Sequence, residues 1–319
     1  MAMRLAMTAV CAAILVAFCA ARWAHGQTSA GSTEQLPPFK LSVDEVSLRF
    51  HASGADGLAV NDLELDELSL LDNGSPPRRI VAFSPLQNLP IRAGILLDTS
   101  ASMAAHLGVD RAVSIEFARR VLRQRNDQAF VMEFGYISNI AQTWTSDTSA
   151  LTRSIGQAVT GRDNPLGGTA LFDTLFRACF TVIGQVDHAR SGNVILLFSD
   201  GEDNHSYMSL AEVVNVCQKS NTAIYTFRAE PNPSLWSSGP KVLSDLAAQT
   251  GGRAFASADS EAEVVSDLLQ IEADLRNEYR LIYNPPALQH DGAFHRIELK
   301  MPERVASMVI RSGYYDRPR

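Results

Sequence analysis

The apolar positions of this chain fall into two kinds of run. IRAGILLD, residues 91–98, and NVILLFS, residues 193–199, are almost continuously apolar; the first ends on Asp98 and the second stops against Asp200. Short unbroken runs of this kind predict strands buried on both faces, as in a parallel sheet. Between them the period lengthens. VDRAVSIEFARRVLRQR sets Val109, Val113, Phe117, Val121 and Leu122 near helical spacing, with arginines elsewhere. QAFVMEFG and NIAQTWT predict further strands, as does Thr222–Arg228. GGTALFDTLFRACFTVIG is a glycine-led loop opening an apolar helix, and helices are predicted over about 148–159, 210–219, 242–250 and 261–276. Gly251 and Gly252 close the third of these four. EYRLIYN then returns to extended character. Strands alternating with helices predict an α/β fold, an open and mostly parallel sheet with helices on both faces.

The flanks read differently. Residues 27–38, polar and proline-ended, form a flexible lead-in. Residues 39–86 show short, partly alternating segments around the turn Asp72, Asn73, Gly74, which predicts a small β-rich unit. Residues 87–282 hold the α/β pattern, and 283–319 form a β extension with strand candidates HRIELKM and SMVIRSGYY. These last two pair against the first small unit or extend the main sheet; the pattern is compatible with both.

The first 26 residues have Arg4, an uncharged run from Leu5 to Ala21, and small residues before Gln27. This is the layout of a cleaved secretory signal peptide, which places the mature chain outside the cell or in a periplasm. A retained membrane anchor is the alternative, because the run is at the short edge of the roughly 17–25 residues a spanning helix needs. After cleavage no later segment is apolar and long enough to cross a bilayer.

Formal net charge is -7, and cleavage would remove Arg4 and Arg22 and make the chain more acidic. Arginines such as Arg119, Arg123, Arg276 and Arg304 lie scattered among acids, which argues against nucleic acid as a partner. Cys11 and Cys19 leave with the signal, and Cys179 and Cys217 remain. An oxidising compartment points to a structural disulfide between them; two separately buried thiols are the other reading, and a catalytic thiol a third.

Candidate chemistry collects at the ends of the apolar runs. Asp98, Ser100 and Ser102 occupy alternate positions of DTSAS, Thr169 follows Gly167 and Gly168, and Asp200 ends the second run. Two carboxylates and three hydroxyls make a hard oxygen set suited to a divalent cation. Each loop alone is also ordinary helix-cap or turn chemistry. Loops at the carboxyl ends of parallel strands converge at a switch in strand order, however, and the three together make one site.

In that ordered combination, DTSAS, GGT and LLFSDGEDN resemble the three loops of the von Willebrand factor type A domain family. The flanks LSLLDNGSPPRRIVAF, EYRLIYNPP, DGAFHRIELKM and RSGYY resemble a bacterial secreted subgroup with β-rich sequence on both sides of the domain. The resemblance implies a metal-ion-dependent adhesion site. Ser100, Ser102 and Thr169 would supply hydroxyl ligands, and Asp98 and Asp200 would act directly or through water. The implied ion is Mg²⁺, with Mn²⁺ or Ca²⁺ as alternatives. Glu202 can orient water there, although an acidic loop turned to solvent is the simpler reading of Glu202, Asp203 and Asn204. His205 stands without an HExxH pattern, so zinc hydrolysis is not indicated.

The implied function is a secreted protein-binding module, not an enzyme, that captures an acidic residue of a protein partner through the cation. A structural envelope or assembly component with a merely stabilising metal site is the alternative. A metal-dependent hydrolase is a third reading, for which no catalytic base is evident. The loop EPNPSLWSSGP, with Trp236, reads as locally packed.

Overall fold

The computed structural model describes residues 45–161, 167–185, 191–228, 237–255, 261–287 and 290–316, all within one compact unit. Residues 1–26, expected as a signal peptide, the expected lead-in and the segment around Trp236 lie outside the described residues.

The first flank gives β1 (Val46–Ser53), β2 (Ser69–Asp72) and β3 (Arg79–Gln87). The α/β region follows with β4 (Ile91–Asp98), α1 (Leu107–Arg120), β5 (Gln128–Phe134), β6 (Ser138–Thr145), α2 (Thr148–Gly156) and α3 (Leu171–Arg177). It continues through β7 (Gly192–Ser199), α4 (Leu210–Lys219), β8 (Thr222–Arg228), α5 (Gly239–Thr250), β9 (Ala254–Phe255) and α6 (Glu261–Arg276). The chain ends with β10 (Asn277–Asn284), β11 (Phe294–Lys300), β12 (Ser307–Ile310) and β13 (Gly313–Tyr315).

The two apolar runs become the middle of a six-stranded sheet ordered β6-β5-β4-β7-β8-β9. All its pairings are parallel except that of β6, which returns antiparallel along β5 as an edge. Every residue of β7 is buried, which explains why its run shows no alternation: each face meets a helical layer. On one face Ile91, Ile95, Val194 and Leu196 pack with Phe117 of α1, Ile155 of α2 and Ile271 of α6. On the other, Leu96 and Ile195 pack with Leu175 of α3, Val213 of α4 and Leu246 of α5. Full burial of a Leu, Ile or Phe side chain contributes roughly 1.5–3 kcal/mol, so these two layers dominate the stability of the region.

Some boundaries differ from the pattern for local reasons. Helix α1 opens at Leu107, and Val109 stands 51% exposed in its first turn, so the buried stripe runs through Leu107, Val113 and Phe117 to Val121 just beyond the helix. Helix α5 begins before residue 242 because Pro240 sits in its first turn, where a missing N–H costs nothing. It ends where Gly251 takes φ 85°, a left-handed cap that glycine adopts without strain. After Arg177 the third helix widens into a π-helical turn, Ala178–Ile183, and within it Cys179 is disulfide-bonded to Cys217 of α4. Both cysteines are fully buried.

The two flanks join each other. A four-stranded antiparallel sheet ordered β12-β1-β10-β3 sets Phe50 opposite both Tyr279 and Ile310, and a second sheet is ordered β13-β11-β2. The tail therefore pairs with the first small unit and does not extend the main sheet. SMVIRSGYY splits into β12 and β13, which belong to different sheets. EYRLIYN, which follows α6 without a break, becomes the inner strand β10 of the flank sheet. Asn73 and Gly74 both have positive φ, 48° and 75°, as a two-residue hairpin turn requires. Asp72 beside them is fully buried and accepts hydroxyl hydrogen bonds from Tyr283 and Tyr314, both at 2.8 Å. Among the described residues no helix is long and apolar enough to cross a membrane.

Candidate metal centre

The site lies where the order of strands reverses. From β4 the chain moves to β5 on one side and later enters β7 on the other, so the carboxyl ends of β4 and β7 open a crevice between them. Their parallel register, Leu97 beside Phe198, brings Asp98 next to Ser199 and its successor Asp200. Asp98 is fully buried. Its Oδ1 accepts the Ser100 backbone N–H at 2.9 Å and its Oδ2 accepts the Ser199 hydroxyl at 2.7 Å. That geometry turns DTSAS back over the strand end and leaves the Ser100 and Ser102 hydroxyls 3.1 Å apart, with Ser102 exposed.

Thr169 arrives from the GGT loop. Its N–H donates to Oδ1 of Asn204 at 2.8 Å, and its carbonyl accepts the N–H groups of Asn204 and His205, each at 3.1 Å. These bonds fasten the Thr169 loop to the loop that begins at Asp200. Gly168 takes φ 117°, and a Cβ there would come within 3.3 Å of the Tyr136 ring, so this corner requires glycine. Gly135 lies between the DTSAS and GGT loops: a Cβ on it would be 3.8 Å from the Ser100 nitrogen and 3.9 Å from the Gly168 carbonyl.

Burial pushes the Asp98 carboxyl up to about 6, against the hydrogen bonds from Ser100 and Ser199, and the charge of Asp200 pushes in the same upward direction. Among the described residues, the hydrogen bonds that reach Asp98 and Asp200 come from hydroxyl and amide groups. A buried acid whose ionisation is disfavoured, with a second carboxylate and a pair of adjoining hydroxyls beside it, fits a hard divalent cation. Among the described residues no three His, Cys, Asp or Glu side chains form a metal-holding group, so any ion here depends on the serine and threonine oxygens.

Glu202 departs from the simpler reading of a solvated acid. Its carboxylate accepts the Ser237 hydroxyl at 2.5 Å, the Gly239 N–H at 3.0 Å and the Ser238 hydroxyl at 3.4 Å. The Ser237 hydrogen bond is the main cause holding its pKa below the usual carboxylate value. It braces the Asp200 loop against the start of α5, where Gly201 and Gly239 let two backbones meet: a Cβ on Gly201 would be 2.4 Å from the Gly239 carbonyl. His205 lies against an aromatic ring, stacked on Tyr136 with centroids 3.8 Å apart.

The model of the von Willebrand factor type A domain matches residues 94–270. The chain belongs to the von Willebrand factor type A domain family. No curated protein matches it. Solved structures are similar to it at low identity. Proximal thread matrix protein 1 from the mussel byssus is 15% identical over 61% of this chain and 50% of its own, with a TM-score of 0.48. This chain thus spans about half of that protein. An aerotolerance-related membrane protein from Bacteroides fragilis is 15% identical over 57% of this chain and 98% of its own, TM-score 0.46. The von Willebrand factor domain of the type V pili tip protein Mfa5 from Porphyromonas gingivalis is 12% identical over 58% and 95%, TM-score 0.47.

Within this von Willebrand factor type A domain, three bracing residues escape a reading of motifs. Ser199 directly precedes Asp200 and looks like the last residue of an apolar strand, yet it orients Asp98. Asn204 holds Thr169. Asp173 accepts the N–H groups of Tyr207 and Met208 at 3.0 and 2.9 Å and fixes the far end of the Asp200 loop. Their only signal is the concentration of short polar side chains in DGEDNHS and at the start of α3.

Proposed function

We propose that this chain is a metal-dependent protein-binding module. Ser100, Ser102 and Thr169 would offer hydroxyl oxygens to a divalent cation, with Asp98 and Asp200 as carboxylates acting directly or through water. When bound, the cation supplies a positive centre for an acidic residue of a protein partner. Mg²⁺ suits a set dominated by neutral oxygens, and Mn²⁺ and Ca²⁺ accept the same donors. The observation that carries this reading is the Asp98 carboxylate, buried at the strand end beside Asp200 and held, among the described residues, by hydroxyl and amide donors.

The acids of the Asp200 loop, with Asp173 of α3, support binding over hydrolysis. Glu202 is engaged by Ser237 and Gly239, Asp203 by the Phe172 N–H and the Ser206 hydroxyl, and Asp173 by two backbone amides. Each is committed to holding a loop, where a general base must be free to take a proton. The Cys179–Cys217 disulfide supports a secreted or periplasmic location, with residues 1–26 removed as a signal peptide. The domain limits 87–282, with 39–86 and 283–319 as flanks, belong to the same proposal, with β10 at the boundary pairing to the flank strands β1 and β3.

A second reading, an envelope or assembly component with a merely stabilising metal site, draws on the flank sheet, in which β10 lies between β1 and β3 and ties both ends of the chain together. Affinity capture from the native extracellular or periplasmic fraction separates the two. The binding reading expects a protein retained in Mg²⁺ and lost both with chelator and with Asp98→Ala. Retention indifferent to chelator and to Asp98→Ala contradicts it.

A further inference from the structure

We infer that the rim beside Thr169 selects a protein segment whose acidic residue is neighboured by an aromatic side chain. The inference rests on the metal-capture reading and adds what the partner must carry besides its carboxylate. Tyr136 and His205 stack at 3.8 Å with an interplanar angle of 28°. The His205 N–H donates to the Thr169 carbonyl at 3.1 Å, and the bare Gly168 lets the Tyr136 ring lie against the same loop. The aromatic pair therefore borders one of the proposed hydroxyl ligands. Exposure around it is high for apolar residues: Tyr136 39%, Ile137 55% and Tyr207 89%.

These side chains stand on braced backbone. The Gly135 N–H donates to the Ile137 carbonyl at 3.2 Å, and the Ala170 N–H to the Gly135 carbonyl at 2.8 Å, which fixes the turn carrying Tyr136 and Ile137. The Tyr207 N–H donates to Asp173 at 3.0 Å. Aromatic groups on fixed backbone lose little conformational entropy on binding, and tyrosine is enriched among the residues that dominate interface energies. The acids nearby, Asp203 and Glu202 of the same loop and Asp173 of α3, already accept internal hydrogen bonds, and the rim offers the exposed side chains of Tyr136, Ile137 and Tyr207. A cation in the centre calls for an anion, and the rim calls for an apolar neighbour. One short segment, an aspartate or glutamate next to an aromatic residue, satisfies both.

The test compares two blocked peptides, acetyl-Phe-Asp-Phe-amide and acetyl-Gly-Asp-Gly-amide, titrated calorimetrically into the purified full chain in saturating Mn²⁺, whose occupancy is read first. The expected result is binding of the aromatic peptide at least about tenfold tighter than the glycine peptide, a difference of about 1.4 kcal/mol. Tyr207→Ser and Tyr136→Ser should each narrow that ratio while Mn²⁺ affinity stays unchanged. Equal, metal-dependent affinity for both peptides overturns the rim proposal and leaves metal capture standing. Failure of both peptides to bind the Mn²⁺-loaded protein, or aromatic-peptide binding that survives chelation, overturns metal capture and the rim proposal together.

Discussion

Ser199, the last residue of β7, donates its hydroxyl to Oδ2 of Asp98, the last residue of β4, at 2.7 Å. The same hydroxyl oxygen accepts the Gly201 N–H at 3.0 Å, so one side chain orients the buried acid and starts the turn after Asp200. Ser199→Ala leaves one oxygen of a fully buried carboxylate without its donor. The expected cost is about 1–3 kcal/mol in denaturant unfolding, together with a loss of Mn²⁺ affinity. Unchanged values of both would show that the bond does not position Asp98.

Asp110 gives a pH dependence with a definite sign. It is buried in the first turn of α1, its Oδ2 has no hydrogen-bond partner, and burial, with the charge of Asp98, pushes its carboxyl up to about 7. Between an unfolded value near ~3.9 and about 7 the folded chain holds a proton that the unfolded chain releases. Stability therefore falls as pH rises through that window. In chelator, Asp110→Asn should make the decline between pH 5 and 8 shallower, by on the order of 1–3 kcal/mol at its upper end. Asp98 and Glu278, raised to about 6 and about 7, keep a residual slope. Parallel curves for variant and wild type would refute the assignment.

Glu202 has the opposite sign. Its pKa is lowered, first by the Ser237 hydrogen bond, so its contribution is present above the unfolded value and fades as pH falls through the lower folded one. Glu202→Gln should weaken the brace between the Asp200 loop and α5, which amide exchange at Gly201 and Gly239 would register as faster opening. Unaltered exchange there would mean that the backbone contact alone holds the loop.

The disulfide predicts a stability difference that needs no partner. Cys179 and Cys217 are separated by 38 residues, and closing a loop of that size in the unfolded chain is worth about 3–4 kcal/mol. A Cys179→Ala, Cys217→Ala double variant should lose roughly that amount in urea unfolding. A loss below about 1 kcal/mol would indicate compensating relief in the folded state.

The central sheet and the proposed metal loops were legible in the sequence because one physical rule governs both. A parallel strand covered on two faces must be continuously apolar, and loops at its carboxyl end can face a ligand. IRAGILLD and NVILLFS satisfy that rule and end at Asp98 and Asp200. Strand partners in the flanks were not legible, because alternation along VSLRFHA assigns a face but does not say that Phe50 will lie opposite Tyr279. Asp72 reads as turn chemistry from its neighbours Asn73 and Gly74, yet its burial follows from Tyr283 and Tyr314, which are remote in sequence. Glu202 looked solvated for the same reason: Ser237 and Gly239 arrive from another segment.

Metal binding by the hydroxyl-rich site is what the proposed function requires of this chain. Calorimetric titration of Mg²⁺ and Mn²⁺ into the purified protein, in parallel with Asp98→Ala and Ser100→Ala, tests it most directly. One saturable ion per chain is expected, with affinity reduced by roughly tenfold or more in each variant while both remain folded by circular dichroism. Binding of equal strength in wild type and both folded variants, or no binding by wild type, would contradict it.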